Sequence, residues 1–255
     1  MNPLPLDTIE TSLSPSFTDA CMSGDTGTVE RLVDGVLSDE FYRGLFLACV
    51  HNHAQVVRIL YESRGKQSIH DAVLFACQYN SVSVLEYCIE HCNIQVSEKA
   101  IHVAVKYGHL DCLAYMIQHQ DYESVVHVDT IFHLACRYGH CSILEWVMQW
   151  EPDKHVYSLY TACQHGHEKV VRYLVHYIDA DTIAYQFACV SGNVCLVRFL
   201  YATYGFHATQ DTFDKICLMG NVSVVQFLLE HQSFTSPIND TNKILYPAPI
   251  ISMIF

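Results

Sequence analysis

The chain has 255 residues, 51% apolar and 16% charged, which is enough to bury a substantial core and too apolar for disorder throughout. Its 14 Lys and Arg stand against 27 Asp and Glu, a formal net charge of −13; that balance excludes a general nucleic-acid binder, whose phosphate affinity needs clustered cations. No apolar run is long enough to span a bilayer, and Pro3, Pro5 and Pro15 occur where a secretory leader would need a basic stretch and then an apolar one, so no leader is expected.

In chain order, one pattern then returns eight times. Its anchor falls at Ala20, Ala48, Ala76, Ala104, Ala135, Ala162, Ala188 and Ile216, at steps of 28, 28, 28, 31, 27, 26 and 28 residues. Three residues before the anchor lie Phe17, Leu45, Val73, Ile101, Phe132, Leu159, Tyr185 and Phe213, all apolar or aromatic. One residue after it lie Cys21, Cys49, Cys77, Val105, Cys136, Cys163, Cys189 and Cys217. These three positions share one face of a short helix. Four residues after the anchor come Gly24, Asn52, Asn80, Gly108, Gly139, Gly166, Gly192 and Gly220. Gly and Asn enter the left-handed conformation at least cost, so the first helix of each unit is expected to end there.

A second helix follows in every unit. An apolar pair at +8 and +9 and a third residue at +12 give its buried stripe, as in Val56, Val57 and Leu60 or Val170, Val171 and Leu174. Position +11 is mostly aromatic, while +10 is mostly charged or polar, as a solvated face requires. A helix–turn–helix of this size cannot bury its own stripe, so neighbouring units must supply the core. The expected fold is an all-α solenoid of about eight repeats over residues 14–232, with an N-terminal extension over 1–13 and a linker and apolar tail over 233–255. The 31-residue step predicts a longer loop around Asp121 to Val128 within an otherwise continuous stack.

Thr130, Ile131, Phe132, His133, Leu134 and Ala135, followed by Gly139 and His140, resemble the T-P-L-H-x-A opening and G-H turn of the ankyrin repeat. Gly108-His109 and Gly166-His167 repeat the turn. The resemblance covers roughly residues 14–232, with two departures: the opening proline is missing from all eight units, and the units fall about five residues short of the usual length. The shortening implies that the projecting β-hairpin fingers are mostly lost. This style is similar to the degenerate ankyrin-like repeats of large DNA viruses, amoebae and intracellular bacterial effectors.

The resemblance implies a non-enzymatic scaffold that holds another protein in its concave groove. In ankyrin proteins the two residues before the G-H turn face that groove. Here those pairs make His51, Tyr79, Lys106, Tyr107, Arg137, Tyr138 and His165 the candidate partner-binding residues. The tyrosines could equally serve as the rim of the core. Lys106 and Arg137 stand out in an acidic protein and suggest a partner that offers carboxylates there.

Other chemistries find less support. The seven column cysteines fit a tight helix contact with room for a small hydrophobe. Free thiols in such number point to a reducing compartment, the cytosol or nucleus. His51 with His53 and His165 with His167 offer two zinc ligands per unit where three or four must converge. No C-x-x-C, H-E-x-x-H, P-loop or G-x-S-x-G occurs, so no cofactor, metal or catalytic residue is expected. The rival readings are a metal-binding or redox-sensing regulator using the His and Cys columns, and an adaptor to a ubiquitin ligase. The apolar tail over 243–255 either folds back over the open end of the stack or marks a chain shorter than its longer relatives.

Overall fold

The computed structural model describes residues 16–65, 70–119, 127–234 and 249–250. The N-terminal extension, the linker, nearly all of the tail and most of the loop expected around Asp121 lie outside them.

Helices come in pairs, one pair per sequence unit. They are α1 (Phe17–Ser23) with α2 (Thr26–Leu32), α3 (Ser38–Val50) with α4 (Ala54–Arg64), α5 (His70–Tyr79) with α6 (Val82–Glu90), and α7 (Glu98–Tyr107) with α8 (Leu110–His119). The second half continues with α9 (Val128–Tyr138) and α10 (Cys141–Val147), α11 (Val156–Gln164) and α12 (Glu168–Leu174), α13 (Thr182–Ser191) and α14 (Val194–Tyr204), α15 (Gln210–Met219) and α16 (Val222–His231). No strand occurs among the described residues, and among them short 3-10 segments at Val33–Gly35 and Met148–Trp150 lie between units.

The anchor columns explain the packing. Every residue at −3, 0 and +1 is buried, as are Val56, Val57, Leu60 and their counterparts in the second helices of units two to eight, and all of these belong to one cluster; in the first unit Val29 joins it while Leu32 is exposed. First helices pack in a row, each on the next from α1 through α15. Second helices form the other layer, α2 through α8 and α10 through α16. Across the 31-residue step, continuity is carried by α7 against α9 rather than by α8 against α10. Burying one apolar side chain of this kind contributes roughly 1.5–3 kcal/mol, and no unit could collect that alone.

All eight +4 residues have positive φ, including Asn52 at 57° and Asn80 at 56°. Each therefore ends its first helix in the left-handed region, and the chain reverses into the second helix. From the tail, Ile250 is fully buried within the common core cluster.

Candidate functional site

The residue after each left-handed position begins the second helix, and it also ties adjacent units together. His53 Nε2 lies 3.0 Å from the Met22 carbonyl oxygen, His140 Nε2 2.9 Å from that of Lys106, and His167 Nε2 2.8 Å from that of Arg137. His109 uses Nδ1 instead, 2.8 Å from the Cys77 carbonyl. Ser81 donates to the Cys49 carbonyl, Asn193 to that of Gly166 at 2.8 Å and Asn221 to that of Val190 at 3.1 Å. Every one of the seven junctions thus carries a staple from the same position of the second unit to a backbone carbonyl near the end of the preceding first helix. A carbonyl can only accept, so the histidine nitrogen facing it carries the proton. Asp25 belongs to the first unit and has no unit before it; it caps its own helix through Thr28 N at 3.2 Å.

These staples pin the backbone of the +2 position at four junctions: Met22, Lys106, Arg137 and Val190. Lys106 and Arg137 are thereby fixed at the ends of α7 and α9 with their side chains exposed. The Lys106 ammonium lies 5.5 Å from the centroid of the Tyr107 ring, and the Arg137 guanidinium 5.9 Å from that of Tyr138. Neither cation has an acidic partner among the described residues.

None of the seven residues singled out from the sequence is buried. Tyr79 and Tyr107 are 39% and 43% exposed, and Tyr138 is half-buried. His51 stacks on His53, Tyr107 on His109 and His165 on His167, with centroids 5.9–6.2 Å apart. Tyr79 meets Phe46 edge-on at 5.6 Å. His51, Tyr107 and His165 therefore shield the stapling imidazoles along the turn edge, while Lys106 and Tyr138 come together in a depression.

That depression has about 300 Å³ and lies between α7 and α9, lined by Glu98, Lys99, His102, Val103, Lys106, Leu134 and Tyr138. A second, of about 620 Å³, follows along the same face between α9, α11 and α13, walled by His133, Val156, Tyr157, Tyr160, Thr161, Gln164, Ile183 and Phe187. A third, of about 130 Å³, shares Ile183 and Phe187 and reaches α15 at Asp211 and Lys215. Most lining residues occupy positions −5, −2, −1 and +2 of their units, which fall on one face of each first helix by the three-and-four spacing. Sequence reasoning found the +2 end of this face and missed the rest.

The middle depression is held open by fixed aromatic rings. Tyr160 donates its hydroxyl to Asp181 Oδ2, while Asp181 Oδ1 caps α13 through Ala184 N at 2.8 Å. That hydrogen bond, and burial after it, push the Tyr160 pKa up to about 12. Tyr157 packs edge-on to Tyr160 at 6.0 Å, and Tyr160 lies 5.6 Å from Phe187. On the floor, burial first and the Arg137 charge second hold the His133 pKa below the ordinary value. His165 is lowered by burial, then by His167 and Arg137.

The column thiols offer little reactivity. Burial raises Cys136, Cys163 and Cys189 to about 12, far from thiolate chemistry at neutral pH. Among the described residues, no three His, Cys, Asp or Glu side chains are grouped so as to hold a metal ion. No described helix is long and apolar enough to cross a membrane.

Helix pairs stacked in two layers, with a stapled turn on one edge and an open face on the first helices, define an all-α helical repeat protein. The family model for ankyrin repeats (3 copies) matches residues 45–129, 73–158 and 132–214, and the chain belongs to the ankyrin repeat family. Among solved structures it is similar to the ankyrin repeat domain of human ASB11, at 20% identity and a TM-score of 0.52 over 72% of this chain and 97% of that one, a likeness of fold. No curated protein matches the chain. Ankyrin repeats are generally protein–protein interaction modules.

Proposed function

We propose that this chain is a non-enzymatic scaffold that holds a partner protein along the open face of its first helices, from α7 to α15. The observation that carries the reading is the run of three adjoining depressions on that face, bordered by the exposed Lys106 and Arg137. Rigid first helices present these side chains with little ordering left to do on binding, which lowers the entropic cost of association. Tyr and Arg are also the residue types in which interfaces concentrate their energy. The cytosol or nucleus is the compartment that fits a chain with twelve cysteines, ten of them buried, since an oxidising one would place thiols at risk of pairing.

A photo-reactive side chain at Gln164, in the groove, and another at Gln226, exposed on the second-helix layer, test this in cells. A discrete adduct from Gln164 and none from Gln226 is the expected result. Replacing Tyr107 and Tyr138 by Ala should then weaken binding of the adducted partner by about tenfold, about 1.4 kcal/mol, with the melting temperature nearly unchanged. Adducts from Gln226 alone would move the binding surface to the other layer.

A further inference from the structure

Charge along the groove is segregated. Lys99 and Lys106 lie on α7, and Arg137 is one unit further on α9, all exposed and all without an acidic partner among the described residues. The acids nearby are Glu98, 3.6 Å from His102 Nε2, and Asp129, which accepts from the Asp153 backbone N–H at 2.7 Å. Three cations without an acidic partner among the described residues, in a chain of net charge −13, make this stretch a local reversal of the molecule's field. The next two units are uncharged on the same face: Tyr157, Tyr160 and Phe187 enclose an apolar depression, with Tyr157 70% and Ile183 46% exposed. Both halves are rigid, because the backbone of Lys106 and Arg137 is stapled and Tyr160 is tied to Asp181.

We propose that the groove takes an extended acidic peptide segment of a partner, with its carboxylates over Lys99, Lys106 and Arg137 and a bulky apolar side chain in the depression between α9, α11 and α13. This rests on the groove being the docking face. Adjacent units are spaced by packed helices, about 8–10 Å, so the two subsites lie one to two steps apart. An extended peptide advances about 3.3 Å per residue. The acidic positions and the apolar anchor should therefore be separated by about three to six residues. Carboxylates supply the orientation and the on-rate, and the apolar anchor supplies the desolvated contact that slows departure.

Selection from a phage-displayed library of random dodecapeptides against the full chain tests the inference. Enriched peptides should carry paired Asp or Glu about three to six positions from an aromatic or branched aliphatic residue. Affinity of the best synthetic peptide should fall at least tenfold in a Lys99→Gln, Lys106→Gln, Arg137→Gln variant and in a Tyr157→Ala, Ile183→Ala variant. The first variant should also lose most of the weakening that salt produces between about 50 and 300 mM. All five side chains are at least partly exposed, so the helical signal and melting temperature serve as the folding check. Enriched peptides without acidic residues, yet dependent on Tyr157 and Ile183, would overturn the acidic-peptide inference and leave the groove standing. Binding indifferent to both variants would remove the groove reading as well. A single-stranded RNA oligomer displacing the peptide at equal concentration would reassign the cations to phosphate.

Discussion

The ring of His167 lies over Gly139 while its Nε2 donates to the Arg137 carbonyl, so two residues of adjacent units are matched to each other. A Cβ added to Gly139 would stand 2.5 Å from His167 Nδ1, and φ there is 83°. The same pairing joins Gly24 to His53 and Gly108 to His140. Where the +4 residue already carries a Cβ, at Asn52 and Asn80, the next staple is the small Ser81 or the differently turned His109. Asn52 also accepts from Val84 N at 3.2 Å, taking over part of the capping of α6. Gly139→Ala should cost about 1–3 kcal/mol through left-handed strain and displacement of the ring, and His167→Ala about 0.5–1.5 kcal/mol for the lost hydrogen bond. The double variant should cost less than the two together by about 1 kcal/mol, read by urea unfolding, because the clash needs the ring. Strict additivity would mean that the ring moves aside freely. His133 in the groove and His165 on the turn edge make a second prediction. His133 and His165 have folded pKa values below the ordinary value of about 6.5. The unfolded chain therefore binds more protons just below that pH, and the stability from keeping these rings neutral is present above about 6.5 and lost as pH falls toward the folded values. The melting temperature should drop on acidification below about 6.5, less steeply in His133→Asn and His165→Asn; equal slopes in wild type and variants would show that other groups carry the effect.

At the scale of the element, each first helix divides its faces between two tasks. Positions −3, 0 and +1 are buried in every unit, and the cysteine that fills +1 behaves as a small hydrophobe. Native thiol labelling at mildly alkaline pH should therefore modify the exposed Cys195 first and the half-buried Cys141 more slowly, with the ten buried thiols reacting only on unfolding. Early labelling of Cys49, Cys77, Cys136, Cys163 or Cys189 would show that the helix contact opens far more readily than its packing implies. The opposite face carries the groove, and here the sequence was legible only in part. The core columns could be read because the same steric demand recurs in eight units and leaves the same residue types behind. Position −5 leaves no such trace: Lys99, Thr130, Tyr157, Ile183 and Asp211 share it and nothing else. A docking face is shaped by its partner, which differs along its length, so repetition cannot reveal it. The available signal was geometric, since −5, −2 and −1 stand seven, four and three residues before the +2 position that was picked out. The staples were hidden for another reason. A G-H pair marks a turn, but the acceptor is a backbone carbonyl of the preceding unit, and no side-chain pattern names a carbonyl.

Across the described helices, the main packing is within a unit and between adjacent units, and the row of first helices passes from α1 to α15 without interruption. The weakest step in the second layer, between α8 and α10, coincides with the longest spacing and is bridged by α7 against α9. The charged end of the groove sits across that same bridge, so the stiffness of one helix contact sets both the continuity of the stack and the geometry between Lys106 and Arg137. A row of eight such units, each about 8–10 Å from the next, should form a body about 65–80 Å long. Its radius of gyration should then be about 22–25 Å, whereas a compact globule of this chain length would have about 18 Å. Small-angle scattering separates the two directly. A value near the globular one would mean that the units fold back on each other and that the groove is closed. A larger value in the expected range, unchanged from low to high protein concentration, would describe a single elongated stack whose groove is open along its length and available to an extended ligand.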